Sequence, residues 1–268
     1  MILTVIEHMA SCPLDRFAGW LAEAQPLEIR TVRPWAGDPL PAADALGDGL
    51  VILGGRGDAY DDAGTPWLPA TRELLAAAAR AGVPTLGICL GAQLLAVATG
   101  GRVQVDAPPG REAGVVDVHP RPDAARDALL GHLAADVPAD HPLAGGVLLA
   151  MPSMHADAVV DLPAGAVWLA SSRLYPYQAF RVGRAAWGLQ FHPEVSRETF
   201  AAWAASYPEV DAAAAVADFD ARADQVEAGG RAVAHRFAEL VRRHHEGLPL
   251  TDAAPAAADR TAEPALLG

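Results

Sequence analysis

Gly82-Val83-Pro84-Thr85-Leu86-Gly87-Ile88-Cys89-Leu90-Gly91-Ala92-Gln93 reads as a helix stop, a short buried strand, a sharp turn and the start of a second helix. Gly82 closes a helical pattern over residues 67–81, and Pro84 follows it closely. Residues 85–88 are an apolar run of strand length, and residues 90–98 carry helical spacing up to Gly100-Gly101. A cysteine flanked by glycines at −2 and +2, between strand and helix, has the form of a nucleophile elbow with sulfur in place of oxygen. So sharp a turn forces strained backbone angles, and glycine relieves the crowding beside it. The thiol then sits at a helix N-terminus, whose positive end favours negative charge. The backbone N–H of Leu90 is left free to point at a developing oxyanion. These residues alone also allow a buried structural cysteine.

Working outward, residues 2–6, 27–32 and 50–53 read as further short strands. Residues 14–24 have helical spacing, with Leu14, Phe17, Ala18 and Leu21 on one face. Strands alternating with helices predict an α/β fold with a mostly parallel central sheet flanked by helices. From 102 to 190 the pattern changes to short strand candidates at 103–105, 115–118, 147–150, 167–170, 178–182 and 186–190, punctuated by Gly and Pro. They predict antiparallel hairpins added to the parallel core. Residues 196–207 read as a helix, and the Ala-rich stretch 211–245 as one or two more. The expected organisation is a domain over 1–207, a C-terminal helical extension over 208–247, and a disordered tail over 248–268.

The chain has 268 residues, enough for one large domain or two small ones at roughly 150 residues each. Its formal net charge is −13, and all 20 basic residues are arginine. An acidic chain is repelled by phosphate backbones and anionic membranes, so neither nucleic acid nor membrane is an expected partner. The lack of lysine excludes a Schiff base and a P-loop. The two cysteines, Cys12 and Cys89, are too few for a disulfide framework. The N-terminus has no basic n-region and too short an apolar run for a signal peptide. A cytoplasmic protein with reduced thiols is the expectation.

Two further stretches carry chemistry. Phe191-His192-Pro193-Glu194 follows an apolar run. In an extended segment residues i and i+2 face the same side, so His192 and Glu194 would lie together. A carboxylate beside an imidazole orients the ring and stabilises its cationic form. A loop histidine near a surface acid is the alternative. Leu53-Gly54-Gly55-Arg56-Gly57 ends a buried strand with glycines that let backbone N–H groups approach a ligand; a plain turn is the alternative. Together these loops would converge on the carboxyl edge of one sheet, where open α/β sheets bind ligands. Adjacent residues on a helix point about 100° apart, so His244-His245 makes a poor metal pair. His8, His119, His132 and His141 show no ligand spacing, and no metal site is expected.

At these residues the sequence resembles the class I glutamine amidotransferases, in particular stand-alone proteins similar to the amidotransferase domain of GMP synthase. The matching stretches are Gly54-Gly55, 82–93, Met154-His155-Ala156-Asp157, Gln178-Ala179-Phe180-Arg181 and 187–194. They occur in the family's order within roughly residues 1–207. The resemblance implies a flavodoxin-like, class I glutamine amidotransferase-like sheet and a Cys89-His192-Glu194 triad. It also implies an oxyanion hole from the N–H groups of Gly55 and Leu90, and substrate contacts at Gln93, His155 and Asp157. For His155 and Asp157 a short inter-strand loop is the bland alternative. The implied reaction is hydrolysis of the glutamine side-chain amide through a cysteine thioester, with no metal or organic cofactor.

Arg56 stands where the family's glycine loop often continues with proline. The stretch after Tyr207 is too short for an ATP-dependent synthetase domain. The chain is therefore expected either to pass ammonia to a separate synthetase or to act as a free-standing hydrolase. A γ-glutamyl hydrolase or peptidase with the same triad, and a non-catalytic regulatory or binding protein of the same fold, are the other readings.

Overall fold

The computed structural model describes residues 1–131 and 150–250. Along the chain it forms strand β1 (Ile2–Ile6), helix α1 (Arg16–Ala24), β2 (Glu28–Val32), β3 (Gly49–Ile52), α2 (Leu68–Ala81), β4 (Thr85–Ile88) and α3 (Leu90–Ala98). There follow β5 (Arg102–Gln104), β6 (Glu112–Asp117), β7 (His119–Pro120), β8 (Ala150–His155), β9 (Ala158–Asp161), β10 (Val167–Ser171), β11 (Ala179–Val182) and β12 (Ala186–Leu189). Helices α4 (Arg197–Ala205), α5 (Ala212–Ala221) and α6 (Ala223–His245) complete it.

The main sheet has the order β2-β1-β3-β4-β12-β11-β10-β7. Strands from β2 to β12 in that order pair in parallel, and β11, β10 and β7 add antiparallel neighbours. Two antiparallel pairs, β5–β9 and β6–β8, lie outside it. This is the α/β architecture with added hairpins that the alternating pattern predicts.

Period-two alternation assigns each strand residue to a face. Leu3, Val5, Val51, Leu53, Leu86, Ile88, Trp187 and Leu189 share one core with Phe17, Trp20 and Leu21 of α1 and Val233, Phe237 and Val241 of α6. Ile6, Leu50, Ile52 and Ala186 share the opposite core with Leu74, Leu75 and Ala78 of α2 and Leu94 and Leu95 of α3. Central strands buried on both faces explain the nearly unbroken apolar runs. Helix α6 is thus a cover of the sheet, packed through its own apolar stripe.

Several boundaries differ from expectation. In α1 the inward residue is Trp20, while Ala18 is exposed, because the helix begins at Arg16 and the stripe follows 17, 20 and 21. Strand β8 runs to His155, and only Ala150 of the expected 147–150 strand lies among the described residues. Strand β9 has no counterpart in the sequence reading, and β6 starts three residues before the apolar run because its first residue, Glu112, is buried among polar partners. The 248–268 tail lies outside the described residues from 251 on, as do His132 and His141.

Candidate active site

The register β12–β4 pairs Leu189 with Ile88, and the Cys89 N–H donates to the Leu189 carbonyl at 2.8 Å. The two chemistry-bearing segments therefore leave the same sheet edge on adjacent strands. Cys89 has φ 53° and ψ −108°, an uncommon conformation for a residue with a side chain. The flanking glycines are required by close approach. A Cβ at Gly87 would lie 2.4 Å from the Gly91 carbonyl oxygen, and one at Gly91 would lie 2.1 Å from that of Ile52. Leu90 is the first residue of α3, whose opening N–H groups have no partner within the helix. Gly55 backs onto it: a Cβ at Gly55 would stand 3.0 Å from Leu90 Cδ2 and 3.1 Å from His8 Cβ.

His192 enters on the segment after β12, its N–H donating to the Pro152 carbonyl at 2.8 Å. Nδ1 lies 2.7 Å from Glu194 Oε1, with both side chains buried. Since a carboxylate only accepts, Nδ1 donates there. The Cys89 side chain lies close to this ring: the two line one small space, and the sulfur favours the charged imidazole. Gly54 makes room for this pair, because a Cβ there would sit 3.0 Å from His192 Cε1 and 3.5 Å from Cys89 Cβ. Burial alone would push the imidazole pKa down. The Glu194 carboxylate, then the Cys89 sulfur, outweigh burial and hold it up at about 10. Trp203 of α4 meets the ring edge-on at 4.6 Å between centroids. The second Glu194 oxygen, Oε2, is buried without a partner among the described residues.

A cavity of about 320 Å³ opens beside Cys89, lined among others by Gly55, Leu90, Gln93, His155 and Asp157. Gln93 Nε2 donates to the Asp157 carbonyl at 3.0 Å and to Gln190 Oε1 at 3.3 Å. The His155 ring is spent within the protein: Nδ1 meets the Asp157 carbonyl at 2.9 Å and Nε2 meets Glu112 Oε2 at 3.1 Å. His155 thus lines the cavity while its polar atoms point away into a network. The Asp157 carboxylate accepts the Asp106 N–H at 2.9 Å. Its pKa is raised, first by burial, and the charges of Asp106 and Asp58 add to the rise.

Several residues here carry no spacing signal in the sequence. Glu112 is buried and accepts from Ser153 Oγ, His155 Nε2, Ser172 Oγ and Gln178 Nε2 at 2.5–3.2 Å. These contacts hold its carboxyl below the usual range although burial opposes them. His8, at the carboxyl end of β1, accepts the Trp67 indole N–H at 3.0 Å, and burial pushes its pKa down to about 4. A charged residue at an inward strand position is the one clue that could have flagged Glu112. At the mouth, Arg111 and Arg56 stack on Tyr207 at 3.9 and 5.1 Å from ring centroid to Cζ. Arg56 also donates to Ser206 Oγ. Among the described residues no cluster of three or more His, Cys, Asp and Glu side chains could hold a metal ion, and no helix is long and apolar enough to cross a membrane.

Comparison with known proteins agrees with this fold. The chain is 36% identical over 157 residues to a GMP synthase (glutamine-hydrolyzing) subunit of Halobacterium salinarum, covering 58% of this chain and 71% of that one. It is 34% identical over 150 residues to the GMP synthase (glutamine-hydrolyzing) of Nitrosococcus oceani, covering 55% of this chain but only 25% of the longer protein. The chain therefore spans about a quarter of that synthase's length. The crystal structure of a glutamine amidotransferase from Methylobacillus flagellatus superposes with a TM-score of 0.71 at 27% identity, over 94% of this chain and 96% of that one. A glutamine amidotransferase from Thermotoga maritima shares the fold, with a TM-score of 0.73 at 24% identity over 89% and 98% of the two chains. Residues 31–203 match the family model described as glutamine amidotransferase class-I. The chain belongs to the class I glutamine amidotransferase family.

Proposed function

We propose that the protein is a glutaminase, hydrolysing the side-chain amide of glutamine to glutamate and ammonia through a thioester on Cys89. The observation that carries this reading is the meeting of Cys89 with the buried His192–Glu194 pair beside a cavity large enough for an amino acid. Cys89 is the nucleophile, His192 the acid and base, and Glu194 the group that orients the imidazole and stabilises its charge. The Cys89 sulfur attacks the amide carbon as thiolate, and negative charge gathers on the carbonyl oxygen near the N–H groups of Gly55 and Leu90. The tetrahedral adduct collapses as His192 gives its proton to the departing nitrogen, so the C–N bond breaks and ammonia leaves. A water, losing a proton to His192, then attacks the thioester carbon, and the C–S bond breaks to release glutamate and restore the sulfur.

In the cavity, Gln93 and the 155–157 segment meet the amino-acid end of the substrate. Asp157, with Asp58 and Asp106 nearby, offers negative charge to its ammonium group. Similarity to the Halobacterium salinarum protein, itself one subunit of a GMP synthase, supports a separate ammonia-accepting synthetase as partner. The unmodified thiol this chemistry needs suits a reducing compartment such as the cytoplasm.

The test is ammonia and glutamate release from glutamine by the purified chain, beside release from γ-glutamyl peptides. Glutamine turnover lost in Cys89→Ala is the expected result. Turnover of the peptides alone would replace the glutaminase with a γ-glutamyl hydrolase. Failure to turn over either, with or without a synthetase partner, would leave a non-catalytic protein of the same fold.

A further inference from the structure

Cys89 stands between two spaces. The larger, of about 320 Å³, holds the amino-acid end of the substrate in the glutaminase reading. The smaller, of about 20 Å³, lies on the imidazole side and is walled by Ser11, Cys12, Met154, His192 and Trp203. It is not needed to bind glutamate, yet it adjoins both the nucleophile and the acid.

Its position follows from the chemistry. His192 has to deliver a proton to the departing nitrogen, so that nitrogen is released between sulfur and imidazole, on the side of the small space. On the same measure of volume, about 10–15 Å³ suffices for one water molecule. The space therefore admits one group the size of ammonia between Cys12, Trp203 and His192, and a carbon chain attached to it would have to pass these walls towards the open side by Arg56 and Tyr207.

Its walls are held in place. The Trp203 indole N–H donates to the Ser11 carbonyl at 2.7 Å, which fixes the ring against both His192 and the loop after β1. Trp203 is buried with Met154, Phe200 and Ala204, and Cys12 packs against that cluster. The Cys12 N–H donates to the Met9 carbonyl at 3.2 Å, closing a turn in the loop that carries it. Burial, with the nearby Cys89 and Glu194, raises the Cys12 thiol to about 12, so it remains a neutral, space-filling group.

We propose that Trp203 and Cys12 are specificity-determining residues that limit the leaving group to ammonia and so exclude γ-glutamyl amides of larger amines. The proposal rests on the glutaminase reading and adds to it the residues that select the unsubstituted amide. Neither side chain takes part in bond making. Both act by the volume they occupy beside the departing nitrogen.

The experiment measures glutamate formation from glutamine, γ-glutamyl methylamide and γ-glutamylglycine by the wild-type chain, Cys12→Ala and Trp203→Leu. One misplaced methyl-sized group in a tight pocket is worth about 10–200-fold in kcat/KM. The wild type should therefore prefer glutamine over the methylamide by about 100-fold and leave γ-glutamylglycine untouched. Both variants should raise the methylamide-to-glutamine ratio at least about tenfold. Trp203 also steadies His192, so Trp203→Leu lowers all rates; the ratio, and the independent Cys12→Ala variant, separate selectivity from that loss. A wild type that hydrolyses γ-glutamylglycine as fast as glutamine, or a ratio unmoved in both variants, overturns the proposal while the glutaminase stands. No glutamate from any substrate, with or without a synthetase partner, overturns the glutaminase and this assignment with it.

Discussion

Replacing Glu194 with glutamine removes one negative charge from a buried site and changes little else in shape. In the wild type, Glu194 Oε1 accepts from His192 Nδ1 at 2.7 Å, and its charge is the largest influence raising the imidazole to about 10 against the downward pull of burial. In Glu194→Gln the amide oxygen can still accept that hydrogen bond, but only the Cys89 sulfur remains to favour the imidazolium. The pKa of His192 therefore falls, and in the proposed mechanism the acid that expels ammonia is depleted at lower pH. The assay is the pH profile of kcat/KM for glutamine. Wild-type activity should persist through neutral pH and decline only towards pH about 10, as His192 loses its proton. The variant's alkaline decline should move down by more than one pH unit, and its rate at neutral pH should drop by about 10²–10⁴, the usual worth of general acid–base catalysis. The sign for stability is parallel. A histidine raised in the folded state contributes stability that is complete below 6.5 and lost as pH rises through about 10. The alkaline loss of stability should thus be shallower in Glu194→Gln. The new amide nitrogen, placed at the unpartnered Oε2 position, should cost about 1–3 kcal/mol. Identical alkaline limbs in the two proteins, or rates within about threefold, would refute the assignment of Glu194 as the charge that sustains the imidazolium.

Gly91→Ala should destabilise the fold, since its Cβ would lie 2.1 Å from the Ile52 carbonyl oxygen and backbone must move; a loss of about 1–3 kcal/mol in urea unfolding is expected. Gly54→Ala intrudes at 3.0 Å on His192 Cε1, so glutamine turnover should fall by about 10²-fold with a much smaller change in unfolding midpoint. Glu112→Gln places a donor among four donors, and should raise KM for glutamine more than it lowers kcat, because the 155–157 segment loses its anchor. Glu112 is depressed in the folded state, so its contribution to stability is present above 4.5 and lost as pH falls below it; acid unfolding of Glu112→Gln should be correspondingly less steep.

What the sequence disclosed depended on whether the physics was local. Strands β1, β3 and β4 are apolar runs that stop at polar or glycine residues, and the Gly87-Ile88-Cys89-Leu90-Gly91 turn announces itself by its glycines. His192 and Glu194 are two residues apart, so their contact needs only an extended backbone. Their meeting with Cys89 depends on β4 and β12 being neighbours, which the order of motifs suggested and the Leu189–Ile88 register explains. Strands β8 and β9 were harder to read. Residues 150–155 mix Pro152, Ser153 and His155 with apolar residues, and the polar ones are buried because Glu112 satisfies them from another strand. His8 is a partial case, since Trp67 satisfies its Nδ1 while its buried Nε2 has no partner among the described residues. Helix α6 was legible as a helix, but not as the cover that brings Phe237 and Val241 onto the sheet, since periodicity reveals a stripe and not its partner.

The central claim is that glutamine passes through a covalent bond to one sulfur, 103 residues before the imidazole that serves it and placed beside it by the fold. Intact-mass measurement of the chain, acid-quenched during turnover of glutamine, tests this directly. A γ-glutamyl adduct that maps to Cys89 and is absent in Cys89→Ala is the predicted result. Steady release of ammonia by Cys89→Ala, or an adduct mapped to another residue, would contradict the account.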